Sequence, residues 1–158
     1  MSRRKAREIV LCLVFEKEYQ RDLSCEKLYD DLFENCDMSE IYNSFAEKEK
    51  ENENKNKVRS LSEADEKYIK NTFIGIFKNI ENIDDIISGS TIGWEYNRIS
   101  KISMALLRIA VYEILYSGGD VPTSVAINEA VELSKRYDDP DAYTFINGVL
   151  GSVAKNHK

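Results

Sequence analysis

The stretch SKISMALLRIAVYEILYS, residues 100–117, decides the fold. Projected at about 100° per residue, Ile102, Met104, Leu106, Leu107, Ile109, Val111, Ile114 and Leu115 cover nearly the whole circumference of a helix. A helix that is apolar all round is a central one, wrapped by its neighbours. On its C-terminal side SGGDVP breaks the chain, and Pro122 suits the first turn of the next helix. VAINEAVELSKRYDDPDAYTFINGVL, residues 125–150, then reads as two helices broken at Asp-Asp-Pro-Asp. The first of them ends near Tyr137, and Asp139 is placed to cap the second, with Pro140 at its first position.

Upstream, Ser62 followed three residues on by Asp65 resembles a capping box and opens a helix to about Ile80. A shorter helix follows near residues 82–90, with a turn at Gly89 to Gly93. Residues 3–19 form a first helix, and a second starts at Cys25 or Glu26, with Ser24 as N-cap, and runs to about Cys36. The run EKEKENENKNK, residues 47–57, contains only Glu, Lys and Asn, with four charges of each sign. It buries nothing that could offset its ordering entropy, so a mobile loop is expected at about 46–60. No strand-like alternation competes anywhere. The expected class is all-α, a single helical domain over residues 1–158.

Composition narrows the function. The net charge is −6, and no run of about 18 apolar residues exists to cross a membrane. The basic N-terminus precedes an apolar run of only Ile9 to Phe15, closed by Glu16, so no signal peptide is expected. Cys12, Cys25 and Cys36 are odd in number and lack C-x-x-C spacing, which fits reduced thiols in a cytoplasmic protein. The single histidine, His157, lies at the end of the chain, and no phosphate loop, nucleophile elbow or dinucleotide fingerprint is present. No enzyme, no cofactor and no metal site is expected. The acidic doublets Asp30-Asp31, Asp84-Asp85 and Asp138-Asp139 read as helix starts and solvated faces.

Binding residues are the better candidates. Arg3, Arg4, Lys5 and Arg7 concentrate positive charge in an otherwise acidic chain. Arg4, Arg7 and Phe15 fall within about 80° of one another on the helical wheel, Arg3 extends that side, and Lys5 points elsewhere. Arg4 and Phe15 are about 20° apart and roughly 16 Å distant along the axis. Arginines followed by a ring on one face can hold a phosphate backbone and stack a base. The alternative is a solubilising N-terminus with Phe15 in the core. In the last helix Phe145 lies at the margin of the stripe formed by Ala142, Ile146, Val149, Leu150 and Val153, either as a peripheral core ring or as one partly open to a ligand. Gly148 sits mid-helix, where close approach of a neighbouring helix or a ligand would explain it.

Four blocks carry a resemblance: RRKAREIVLCLVFEKEY at the start, Trp94-x-x-x-Arg98-Ile99 with LLRIAVYEILY, DVPTSVAINEAVELSKRY, and FINGVL. In this order and spacing the chain resembles the NusB family of bacterial transcription antitermination factors. The resemblance implies two packed three-helix lobes plus an additional helix, and no enzymatic activity. It implies binding of boxA RNA of ribosomal transcripts together with NusE, a small-subunit ribosomal protein, within the RNA polymerase antitermination complex. Carried over by position, it assigns RNA binding to Arg3, Arg4, Lys5, Arg7, Phe15, Asp141 and Phe145. Phe15 stands where the family commonly has tyrosine, Ser103 where relatives often carry an acidic residue, and Ser134 where alanine is usual. A similar module begins some RNA cytosine methyltransferases, but the expectation here is a free-standing factor. The two alternative functions are a helical protein-interaction adaptor and a methyltransferase-associated module that binds ribosomal RNA.

One residue of the central helix does not fit its apolar surround. Arg108 must find a carboxylate from another helix or reach water along its stem. Glu113 is about 140° away on the wheel, and Lys101 only adds positive charge. Glu129, at the apolar border of the INEA helix, is the expected partner in a structural ion pair, Arg108–Glu129.

Overall fold

The computed structural model describes residues 2–35, 62–91, 93 and 99–157. The expected loop at about 46–60, Cys36, Trp94 and Arg98 lie outside the described residues. Seven helices are found among the described residues, and no strand: α1 (Arg3–Tyr19), α2 (Cys25–Asn35), α3 (Glu63–Lys78), α4 (Ile80–Gly89), α5 (Lys101–Tyr116), α6 (Thr123–Tyr137) and α7 (Ala142–Asn156). The chain divides into two compact units, Met1–Asn71 and Thr72–Lys158, with the boundary inside α3. Each unit is described by itself.

In the first unit, helix starts follow the predicted caps. The Lys27 backbone N–H donates to the Ser24 hydroxyl at 3.1 Å, and that of Asp65 to the Ser62 hydroxyl at 3.1 Å. The Ser62 hydroxyl in turn donates to the Asp65 carboxylate at 2.8 Å, a side-chain bond that stands beside the cap. Helix α1 is enclosed along its middle: Ala6 to Leu11, Leu13 and Val14 are all buried, although their directions cover the whole wheel. Arg7 and Glu8 are therefore inside, where charged side chains need partners. The Lys5 ammonium lies 3.7 Å from the Glu8 carboxylate. Leu28 and Tyr29 bury the inner face of α2, and the Lys70 ammonium of α3 sits 5.3 Å over the Tyr29 ring. Burial, with the Glu66 carboxylate nearby, pushes the Tyr29 hydroxyl up to about 12.

In the second unit α5 is the central helix, in contact with α4, α6 and α7. Residues Ala105 to Val111 are buried without interruption, as expected of a helix apolar all round. Ring packing closes one side. A Cβ on Gly75 of α3 would lie 2.5 Å from the Tyr112 ring, so only glycine lets that ring approach. Tyr112 stacks on Tyr116 with centroids 5.8 Å apart, and the Asn82 amide of α4 donates to the Tyr116 hydroxyl. The α5–α6 connection turns through Gly118 and Gly119, at φ 68° and 88°.

Arg108 is only 8% exposed, and its guanidinium makes a two-point contact with Asp84 of α4. Nε donates to Oδ1 at 2.9 Å and Nη2 to Oδ2 at 3.0 Å. The required carboxylate does come from another helix, and Asp84 supplies it. The i, i+1 doublet decides which acid serves: Asp84 is half-buried and Asp85 is exposed on the turned-away side. Glu129 is half-buried on α6 and has interactions of its own.

The break between α6 and α7 also departs from expectation. Helix α7 begins at Ala142, not at Pro140, because Asp139 to Ala142 form a turn closed by Ala142 N–H donating to the Asp139 carbonyl at 3.0 Å. Pro140 takes the second turn position, which its fixed φ suits. Asp138 is turned back on α5: the Ser100 hydroxyl donates to its two carboxylate oxygens at 3.1 and 3.0 Å, and the Ser103 hydroxyl donates to it as well. Ser100 is itself the N-cap of α5, accepting from Ser103 N–H at 3.0 Å.

Candidate nucleic-acid interface

The first turn of α1 is unusual in its charge. Ser2 caps it, accepting from the Lys5 N–H at 3.2 Å, and no acidic residue follows in the first turn. Arg3, Arg4 and Lys5 thus sit at the positive end of the helix dipole, where cations cost about 0.3–1 kcal/mol each when exposed. A helix start that gathers cations against its own dipole is suited to an external anion. Arg3 and Arg4 are exposed and Lys5 is half-buried against Glu8.

Arg7 departs from the face predicted for it, being 4% exposed. Its guanidinium carbon lies 5.9 Å from the centroid of the Tyr68 ring on α3, and that of Arg3 lies 4.1 Å from the same centroid. Tyr68 therefore organises two of the four basic residues. No sequence periodicity pointed to it; the only signal was an aromatic at the border of the α3 apolar face. Phe15, three turns along α1, is half-buried, with its ring 5.1 Å from that of Tyr19 and tilted by 57°. Tyr19 is 63% exposed and was also missed, although i, i+4 spacing places it over Phe15.

The remaining candidates lie in the second unit. Asp141 is exposed at the N-cap position of α7, and its side chain makes no capping bond. Phe145 is 9% exposed: it packs as a peripheral core ring of α7. Two residues before it, Tyr143 is 39% exposed, with the Lys135 ammonium 5.0 Å from its ring centroid. Gly148 is exposed, and a Cβ there would meet nothing within 4 Å, so no neighbouring helix requires the glycine. Ser103, by contrast, is buried and committed to Asp138.

Among the described residues no group of three or more His, Cys, Asp or Glu side chains is placed to hold a metal ion. Cys12 and Cys25 carry free thiols. Burial pushes the Cys12 thiol up to about 12, and the Glu8 and Glu16 carboxylates add to the effect, so it is a poor nucleophile at neutral pH. No described helix is long and apolar enough to cross a membrane.

The described residues make an all-α chain with a basic helix start. The chain belongs to the NusB family, whose profile matches residues 4–155. It is 39% identical over 158 residues to the transcription antitermination protein NusB of Clostridium perfringens (strain SM101 / Type A), covering 100% of both chains. Its identity to the protein of that name from Acetivibrio thermocellus is 39% over 155 residues, covering 98% of this chain and 90% of the relative. Among solved structures, T. maritima NusB superposes with a TM-score of 0.74 at 29% identity, covering 99% of this chain and 93% of that one. The crystal structure of antitermination factors NusB and NusE in complex with dsRNA shares the fold, with a TM-score of 0.67 at 21% identity and coverage of 98% and 97%.

Proposed function

We propose that this chain is a transcription antitermination factor that binds single-stranded boxA RNA of ribosomal transcripts together with NusE. It would act in the cytoplasm as part of the RNA polymerase antitermination complex, as a binding protein and not as an enzyme. The observation that carries this reading is identity to a NusB relative along the whole of both chains. The exposed Arg3 and Arg4 supply the chemistry, as phosphate-binding cations at a helix start that favours anions. Phe15 and Asp141 would add a stacking surface and an acceptor for base amino groups. Lys5, Arg7 and Phe145 are half-buried or buried, so their part in binding would be to shape the surface rather than to cover it.

The test is a titration of boxA and scrambled RNA of equal length, single-stranded and as duplex, with and without saturating NusE. Tighter binding of single-stranded boxA, strengthened by NusE, is expected, because an acidic chain attracts a basic ribosomal partner. Equal affinity for boxA and scrambled RNA in both arms would exclude the reading. Preference for the duplex would favour a module for structured ribosomal RNA, and NusE binding without any RNA binding would favour a protein-interaction adaptor.

A further inference from the structure

Four side chains at the start of α1 carry positive charge, and the exposed Arg3 has an aromatic seat. Arg3 lies 4.1 Å over Tyr68, close enough for the guanidinium plane to rest on the ring, and Arg7 approaches the same ring at 5.9 Å from inside the unit. Arg3 and Arg7 are i, i+4 neighbours of like charge, an arrangement that alone would drive the outer arginine away from the helix. The ring quadrupole works against that repulsion by offering negative density to both. An exposed arginine in the first turn of a helix would otherwise sample many rotamers.

We propose that Tyr68 is a positioning residue for RNA binding, which holds Arg3 in a fixed direction so that its free N–H groups meet a phosphate without first losing rotamer freedom. This rests on the RNA-binding reading above. Preorganisation raises affinity without adding charge, because the ordering cost is met in the free protein. Stacking uses the face of the guanidinium and leaves its edge, with the N–H fork, for phosphate oxygens. The consequence separates Tyr68 from a phosphate ligand. Removing its ring lowers affinity but leaves the number of released counterions unchanged, whereas removing the Arg3 charge lowers both.

The experiment is a salt titration of boxA RNA binding to the full chain and to Y68L, Y68F, R3Q, R3K and the R3Q/Y68L double variant. Y68L is expected to bind about two- to fivefold more weakly, the size of an exposed cation–π contact, with an unchanged salt slope. Y68F, which keeps the ring, should bind as the parent does. R3Q should flatten the log–log salt slope by about 0.7, the value for one phosphate on a single strand. The double variant should be no weaker than R3Q, because without the guanidinium the ring has nothing to position. If Y68L fails to fold because Arg7 loses its cover, R3K decides: it keeps the charge, loses the planar stack, and should weaken binding at constant slope. Parent-like affinity for R3K, or fully additive losses in the double variant, would overturn the proposal. A parent chain that binds no RNA at any salt would overturn the proposed function and this inference with it; a parent that binds while both R3K and Y68L match it overturns the inference alone.

Discussion

Helices α1 and α5 are enclosed along their middles, begin with a serine N-cap, and contain a buried arginine, yet their charges are handled in opposite ways. At α5 carboxylates come from other elements: Asp84 grips Arg108, and Asp138 sits at the helix start where the dipole favours a negative group. At α1 the start gathers Arg3, Arg4 and Lys5 with no acid in the first turn. The first arrangement is what stability alone would select. The second gives up some stability and leaves charge facing outward, which is expected where a protein binds something.

Breaking the Arg108 grip should have the largest effect. Asp84→Asn leaves a buried guanidinium without its two-point carboxylate and should destabilise by about 2–4 kcal/mol, toward the low side of the buried-pair range because Asp84 is half-exposed. Urea unfolding measures it, and the same substitution at Glu129 provides the comparison. A larger loss for Glu129→Gln than for Asp84→Asn would make Glu129 the main partner. Asp138→Ala should cost about 1–2 kcal/mol, since it removes the acceptor of two hydroxyls at the α5 start. A melting temperature equal to the parent's would show that those bonds add nothing.

A pH titration sharpens the contrast from the α1 side. The Cys12 thiol is raised from 9.0 to about 12, so its neutral form is favoured in the fold. That contribution is fully present below about pH 9 and is lost as pH rises toward 12; Tyr29, raised from 10.0 to about 12, acts in the same direction. The alkaline unfolding midpoint should move upward in Cys12→Ala and Tyr29→Phe, after allowing for each variant's stability at pH 7. A midpoint unchanged in both would remove these groups from the account. The smallest effect has the most informative sign. Arg4→Glu should stabilise the fold by about 0.5 kcal/mol, by placing an acid at the helix start. It should also weaken RNA binding and flatten its salt dependence. Loss of stability together with loss of binding would mean that Arg4 serves the fold.

The sequence made the helices legible because their ends carry chemistry: Ser24, Ser62 and the break after Tyr137 stand where the structure ends or begins an element. The centrality of α5 was legible from its all-round apolar surface. The enclosure of α1 was not, because Arg7 read as part of a binding face on a wheel that knows nothing of neighbouring helices. The same blindness hid Asp84, whose pairing with Arg108 spans 24 residues of chain, and Tyr68, which acts through space on α1. The start of α7 was displaced because Pro140 suits a turn as well as a first helical residue, and hydrogen bonding decides between them. At the candidate site, exposed Arg3 and Arg4 could be picked out from charge and position and Asp141 only through the resemblance, while the burial of Phe145 depended on packing that spacing does not encode.

The bonds from Ser100 and Ser103 to Asp138 join the beginning of one helix to the end of the next across 35 to 38 residues. Neither end can therefore fray alone. When the last turn of α6 lifts, the α5 start loses its acceptor, so the amide hydrogens of Ser103 and Met104, which bond back to Ser100, should exchange with deuterium in step with those of Lys135 to Tyr137. The helical hairpin then opens as one cooperative unit, with a single opening free energy read at both of its distant ends.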